Sequence, residues 1–339
     1  MIVIQKNFKE ESVLKITKFK LLLVLSLILA FTIFISADSV AASKMFISIG
    51  TGSMGGSYYP VGACMAKIIN ENVEGVNASV QSSGGTVANL QLMKSGEAQM
   101  ATVDLNAHDA YWGTGKYSEE KMPWIRALTP LYPEYIHLMV AKDSDIKSVF
   151  DLKGKKISVG AVASGTEVSS KQLLAALGMT FDDIKPRRLG VGETAQAFKD
   201  RQIDAAIMAG GLGMSGVIEV TSLGLIKFIP MPDEILTKLK AEYPYWMSLV
   251  IPAGYYPGQT EEIKQYGDWN FTIIHEDVPE DIVYNIVKAL FENREELILT
   301  KEKMSNMKIE NISNMSIPLH PGAQRYYIEK GYEKYINIQ

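Results

Sequence analysis

Five hydroxyl side chains, Thr51, Ser83, Thr86, Ser164 and Thr166, stand in glycine-rich loops that carry no arginine or lysine. With the backbone N–H groups of Gly55, Gly56 and Ser57 they form a neutral set of donors, the chemistry that holds a carboxylate or phosphate. Around them stand Gly84, Gly165, Gly210 and Gly211, which let backbone approach a ligand closely. Tyr58 and Tyr59 can wall a cleft, with one of the two serving as packing. Asn89 can donate, accept, or face solvent from the first turn of a helix. Glu167 reads equally as a partner for a ligand ammonium and as a first-turn helix carboxylate.

The elements that position these groups repeat one device. Phe46, Ile47 and Ile49 make a short buried strand, Gly50–Gly56 bends the chain, and Pro60 admits a helix through Ala63, Ala66 and Ile69. The same order recurs at Asn77–Gln81 with Ser82–Thr86, at Ile157–Val159 with Ala163–Glu167, and at Ala205–Met208 with Ala209–Gly213. Strand candidates also fall at Met100–Val103 and Tyr135–Ala141. Strands alternating with helices predict an α/β fold with a parallel sheet, and ligands of such sheets bind at the turns beyond the strand ends. Pro279–Leu299 reads as one amphipathic surface helix.

Gly50-Thr51-Gly52-Ser53-Met54-Gly55 matches the dinucleotide pattern G-x-G-x-x-G letter for letter. The third glycine of that pattern belongs inside the helix, whereas here the loop runs on to Tyr59. Glu71 and Glu74 fall at the end of the first helix, not at the tip of a second strand. No metal is expected, because His108, His137, His275 and His320 are scattered and form no ligand pair. No G-x-S-x-G elbow and no glycine loop with G-K-[ST] occurs. The chain is therefore read as a non-enzyme without cofactor.

Lys15, Lys18 and Lys20 precede an uncharged run, Leu21–Ile35, and then small residues to Ala42. Residues 1–42 read as a secretory signal peptide, with an uncleaved anchor as the other reading. Either places the bulk of the chain outside the cytoplasm. Without the five basic and three acidic residues of 1–42, the chain's 34 and 38 become 29 and 35, a net charge near −6. No basic stripe speaks for a nucleic-acid partner. Cys64 is the one cysteine, so no internal disulfide forms.

The strand, glycine loop and Tyr58-Tyr59-Pro60 segment resembles the TAXI family, the extracytoplasmic solute-binding subunits of TRAP transporters. Ser83–Leu90, Leu131–Glu134 with Ile136–Val140, Val159-Gly160 with Ser164–Glu167, Ile251–Gln259 and Pro318–Ala323 extend the likeness over about residues 46–335. The resemblance implies a two-lobed periplasmic binding protein type II-like fold with the ligand cleft between lobes. Lobe 1 would hold 45–138 plus 252–339, and lobe 2 would hold 139–251. It further implies a monomer that closes on a small carboxylate or amino acid, glutamate or 2-oxoglutarate being the commonest, and docks on an ion-driven TRAP permease. Where the family often carries Gln-x-Asp after the third strand, this chain has Val103-Asp104-Leu105-Asn106, which makes Asp104 a candidate ligand-facing residue. A secreted sensor on the same fold is the alternative, and a dinucleotide enzyme the remote one.

Overall fold

A computed structural model describes residues 22–24, 44–104 and 106–336. The signal-peptide expectation for residues 1–42 lies outside the described residues apart from 22–24. Among the described residues no helix is long and apolar enough to cross a membrane. From Met45 onward the chain forms one compact unit.

The first third runs β1 (Met45–Gly50), α1 (Tyr58–Asn72), β2 (Val76–Gln81), α2 (Thr86–Lys94), β3 (Met100–Val103), α3 (Asn106–Trp112) and β4 (Ile125–Ala141). Next come β5 (Lys156–Ser158), α4 (Gly165–Ala176), β6 (Lys185–Arg187), α5 (Val191–Lys199), β7 (Ala205–Gly210), α6 (Ser215–Ser222), β8 (Ile226–Phe228), α7 (Asp233–Glu242) and β9 (Met247–Ile251). The chain returns through β10 (Ile263–His275) and ends in α8 (Glu280–Glu292), α9 (Arg294–Thr300) and α10 (Pro321–Glu329). The single helix expected over Pro279–Leu299 is thus two, broken at Asn293, whose amide donates to Ala289 O at 2.9 Å.

The strands lie in the order β2-β1-β3-β10-β4-β7-β5-β6, with β8 on β4 and β9 on β10. The expectation of a parallel sheet needs correction. β1 pairs β2 and β3 in parallel, and β5 pairs β6 and β7 likewise, but β4 and β10 run antiparallel to their neighbours. These two long strands join the parallel sets into one mixed α/β sheet. The first half of β4 is hidden in the sequence by Pro130 and Pro133, which read as breaks. Proline gives no ladder N–H, and the β4–β10 register shifts on either side of Phe271, the partner of Pro130.

Buried apolar side chains gather in three clusters. One draws on residues 47–132 and 269–327, around Ile49, Leu90, Phe271 and Tyr327. The other two draw on residues 136–266, around Ile157, Leu173 and Trp246, and around Met208, Val217 and Tyr256. The chain passes between these groups along β4 near Pro133–Tyr135 and along β10 near Gly267–Asp268.

His137, expected from its apolar strand to be a satisfied core or cleft residue, is fully buried, with Nε2 2.8 Å from Tyr256 Oη. Burial lowers its pKa to about 4. The unfolded chain titrates near 6.5, so between those values it binds a proton the folded chain refuses. Stability is therefore full above pH 6.5 and falls as the pH drops toward 4, by on the order of 3 kcal/mol for this group. Urea unfolding of wild type and His137→Gln at pH 7 and 4.5 should show the smaller pH loss in the variant.

Candidate ligand-binding site

The glycine loops of both core regions meet at one small cavity. The loop after β1 supplies Gly52, Ser53, Gly56 and Ser57, and α1 begins with Tyr58. The loop after β2 supplies Gly84 and Gly85, with Thr86 opening α2; Asp104 follows β3, and Tyr132 and Glu134 come from β4. From the other region come Ser164, Gly165 and Thr166 at the start of α4, then Val191, Ala209, Gly210 and Met214. The two sides touch directly. Ala88 N–H donates to Ala163 O at 3.0 Å, and Ser215 Oγ donates to Gly55 O at 2.8 Å.

Ten residues singled out from the sequence line the cavity: Gly56, Ser57, Tyr58, Gly84, Thr86, Asp104, Ser164, Gly165, Thr166 and Gly210. Seven others stand behind or beside it. Thr51 Oγ1 donates to Gln81 O at 2.7 Å, and Ser83 Oγ donates to Asn89 Oδ1 at 2.6 Å. The fully buried Asn89 amide donates to Thr51 O at 2.7 Å and Thr102 O at 2.8 Å. These three therefore tie the first two loops together. Glu167 accepts from Ala163 N–H at 3.2 Å and from Arg188 Nε at 2.7 Å, which holds the loop before α4. Gly55 meets Ser215 through its carbonyl, Gly211 O accepts from Lys303 Nζ at 3.1 Å, and half-buried Tyr59 lies outside the lining.

Ser164 caps α4: its hydroxyl accepts from Glu167 N–H at 3.0 Å. The first amides of α4, on Gly165 and Thr166, have no acceptor within the helix, and both residues face the cavity. That end of a 12-residue helix attracts negative charge.

Three groups were missed by sequence reasoning: Glu134, Tyr132 and Lys303. The first two sit in Leu131–Glu134, a stretch read only as the lead into the second lobe; a carboxylate in so apolar a run was the available signal. Lys303, buried in the C-terminal part, donates to Ser57 Oγ and Gly211 O and lies 4.9 Å from the centre of the Tyr132 ring. No local pattern announces a partner 246 residues away.

Beside the neutral donors expected from the loops, two carboxyl groups line the cavity: Asp104, singled out from the sequence, and Glu134, which was not. Burial pushes Glu134 well above the usual carboxylate range, the Asp104 charge pushes it further, and Asn270, Lys303 and Tyr58 pull it back. Burial also raises Asp104, against hydrogen bonds from Asn106 N–H at 2.9 Å and Asn106 Nδ2 at 2.8 Å to Oδ1. Burial lowers Lys303 to about 7, which the Lys301 charge reinforces and Glu134 opposes. The cavity measures about 70 Å³. One water needs roughly 10–15 Å³, so the space admits several waters or a small solute in their place. Among the described residues no His, Cys, Asp and Glu cluster fit for a metal occurs.

Several solved structures resemble this chain. A protein from Bordetella bronchiseptica RB50 is 19% identical, the match covering 86% of this chain and 82% of that one, with a TM-score of 0.49. The periplasmic aliphatic sulphonate binding protein SsuA from Escherichia coli is 14% identical over 78% of this chain and 75% of its own, with a TM-score of 0.41. An ancestral arginine-binding protein bound to arginine is 16% identical over 77% and 99%, with a TM-score of 0.47. At such values the nature of the ligand has to be argued from the cavity itself. The family is a separate matter, because a sequence model covers nearly all of the compact unit: matched over residues 49–331, this chain belongs to the NMT1-like family.

Proposed function

We propose that the protein is an extracytoplasmic solute-binding protein. It captures a small acid or amino acid between two lobes and hands it to a membrane permease. The observation that carries this reading is the cavity walled by loops of both core regions, with the amide-bearing start of α4 on one side and the Ser57, Tyr58 and Thr86 edges of α1 and α2 on the other. A cavity so shared widens as the halves move apart. The division of the core supports lobes that part near Pro133–Tyr135 and Gly267–Asp268, a few residues before the 138/139 boundary of the motif reading and about 15 residues after its 251/252 boundary.

A space this small, walled by loops of both core regions, favours a small solute over a dinucleotide. Likeness to the TAXI motifs favours a TRAP-type permease driven by an ion gradient. Uptake that survives collapse of ion gradients but stops on loss of ATP would move the partner to an ATP-driven permease and leave the capture role intact.

Capture predicts two readouts on the purified protein with a panel of acids and amino acids. Saturating ligand should reduce the radius of gyration in small-angle scattering. At 100 times its dissociation constant the ligand adds about 2.7 kcal/mol, a rise of several degrees in melting temperature. A bound ligand with an unchanged radius would remove the closing motion from the reading.

A further inference from the structure

We propose that Lys303 is a proton-linked strap between the two core regions: bringing the regions together drives a proton off its side chain, so closure strengthens as the pH rises above neutral. The inference rests on the closing motion of the capture reading and adds a control that sits outside the cavity lining.

Three distant segments meet at one buried point. Lys303 lies in the helical turn Glu302–Asn306, which its neighbour Met304 anchors in the first core region. The lysine is 7% exposed. Its Nζ donates to Ser57 Oγ, just before α1, and to Gly211 O at 3.1 Å, just after β7. Ser57 belongs with the first region and Gly211 with the second, whose cores take in Ala205 to Met208 of β7. The fit is close, because a Cβ at Gly211 would overlap Lys303 Cδ and the Tyr132 ring. One side chain thus bridges the regions, and parting them returns its amine to water.

Both acceptors are neutral oxygens. A neutral amine has two N–H groups, which these two acceptors satisfy. An ammonium brings a third, for which the Tyr132 ring, centred 4.9 Å from Nζ, is the weaker partner. The charged groups around it do not hold the proton firmly. From β4, Glu134 favours the ammonium, but burial pushes Glu134 itself well above the usual carboxylate range and so weakens it as a counterion. Also on β4, His137 is neutral above pH 6.5. On the lysine's own segment the Lys301 charge opposes a second cation. From α9, Arg294 donates to Ser305 O at 2.6 Å and Glu296 pairs with Lys67. Lost hydration therefore decides, and burial brings Lys303 down to about 7, reinforced by Lys301 and opposed by Glu134.

The direction follows by linkage. A hydrated lysine titrates near 10.4, so between about 7 and 10 the parted form holds a proton that the closed form has shed. Closing then releases a proton, and the closed-to-parted ratio gains up to about tenfold per pH unit. Below 7 both forms are charged and the ratio is flat.

The test measures that ratio in ligand-free protein from pH 6 to 9. Spin labels on Glu71→Cys and Lys240→Cys, one in each region, in a Cys64→Ser background give the distance distribution, and small-angle scattering of unlabelled protein gives the radius. The wild-type ratio should rise at least about tenfold across this range. Lys303→Met, permanently neutral, and Lys303→Arg, permanently charged, should each be flat. A flat wild type overturns the strap, and so does a rise that persists in Lys303→Met. Adding L-glutamate or 2-oxoglutarate at pH 8 separates the two readings. A pH-dependent ratio with neither acid bound keeps the strap and removes capture of these acids; a bound acid with a flat ratio does the reverse.

Discussion

Replacing Gly165 with valine is expected to lower ligand affinity by at least about 100-fold, or about 2.7 kcal/mol. The unliganded fold should change little. A Cβ at Gly165 would overlap Asp104 Oδ2 and come within 3.3 Å of Thr86 Oγ1, both on the opposite side of the cavity. Asp104 has little room to retreat, because two Asn106 donors hold its other oxygen. Within its own lobe the substitution meets nothing closer, and a first-turn helix position accepts valine at small cost. On the proposed two-lobe reading, the clash arises only in the closed form. Titration and scattering on the same sample check this: the variant should keep its melting temperature and keep the larger radius even with ligand present. Wild-type affinity in Gly165→Val would mean that the Asp104–Gly165 approach is no part of the bound state.

That approach shows how far the sequence could be read. The strand, glycine loop and proline of residues 46–60 are local signals, and β1 and α1 form there because each signal acts within a few residues of the next. Four loops of this kind pointed to the cavity, and nine of the residues they offered line it, with Asp104 from the stretch after β3 as the tenth. What the pattern could not tell is which side of a loop a hydroxyl faces. Thr51 and Ser83 look like Thr86 and Thr166 in sequence, yet they turn inward to backbone oxygen and to Asn89. Long-range pairing was equally illegible. The antiparallel β4–β10 crossing brings residues 130–135 beside 267–271, with prolines masking half of one strand. Glu134 reaches the cavity only through that crossing, and Lys303 only through the folding back of the C-terminal part. The electrostatics of the site were therefore the part least open to reading in advance.

Gly267 is the second position where a missing side chain carries the design, and its replacement by alanine should damage the fold itself. Gly267 pairs with Tyr135, beside the Asp268–Glu134 pair, at the crossing of the two long strands. A Cβ there would overlap the carbonyl oxygen of Glu134 and meet Leu249 Cδ1. The obstacle is backbone held in a ladder, so it cannot rotate away as a side chain can. Overpacking that forces backbone shifts costs about 3 kcal/mol or more. In a chain of this size that is a fall of roughly 6 °C or more in melting temperature. Gly192 supplies the contrast. It sits inside α5, and a Cβ there meets nothing within 4 Å. Gly192→Ala should leave stability unchanged or raise it by about 0.4–1 kcal/mol, because alanine loses less chain entropy in a helix. Thermal unfolding of the two variants beside wild type separates close packing at the strand crossing from glycine content in general. Equal melting temperatures for Gly267→Ala and Gly192→Ala would show that β10 can move away from Glu134, and the position of that carboxyl in the cavity would then be adjustable rather than fixed by the sheet.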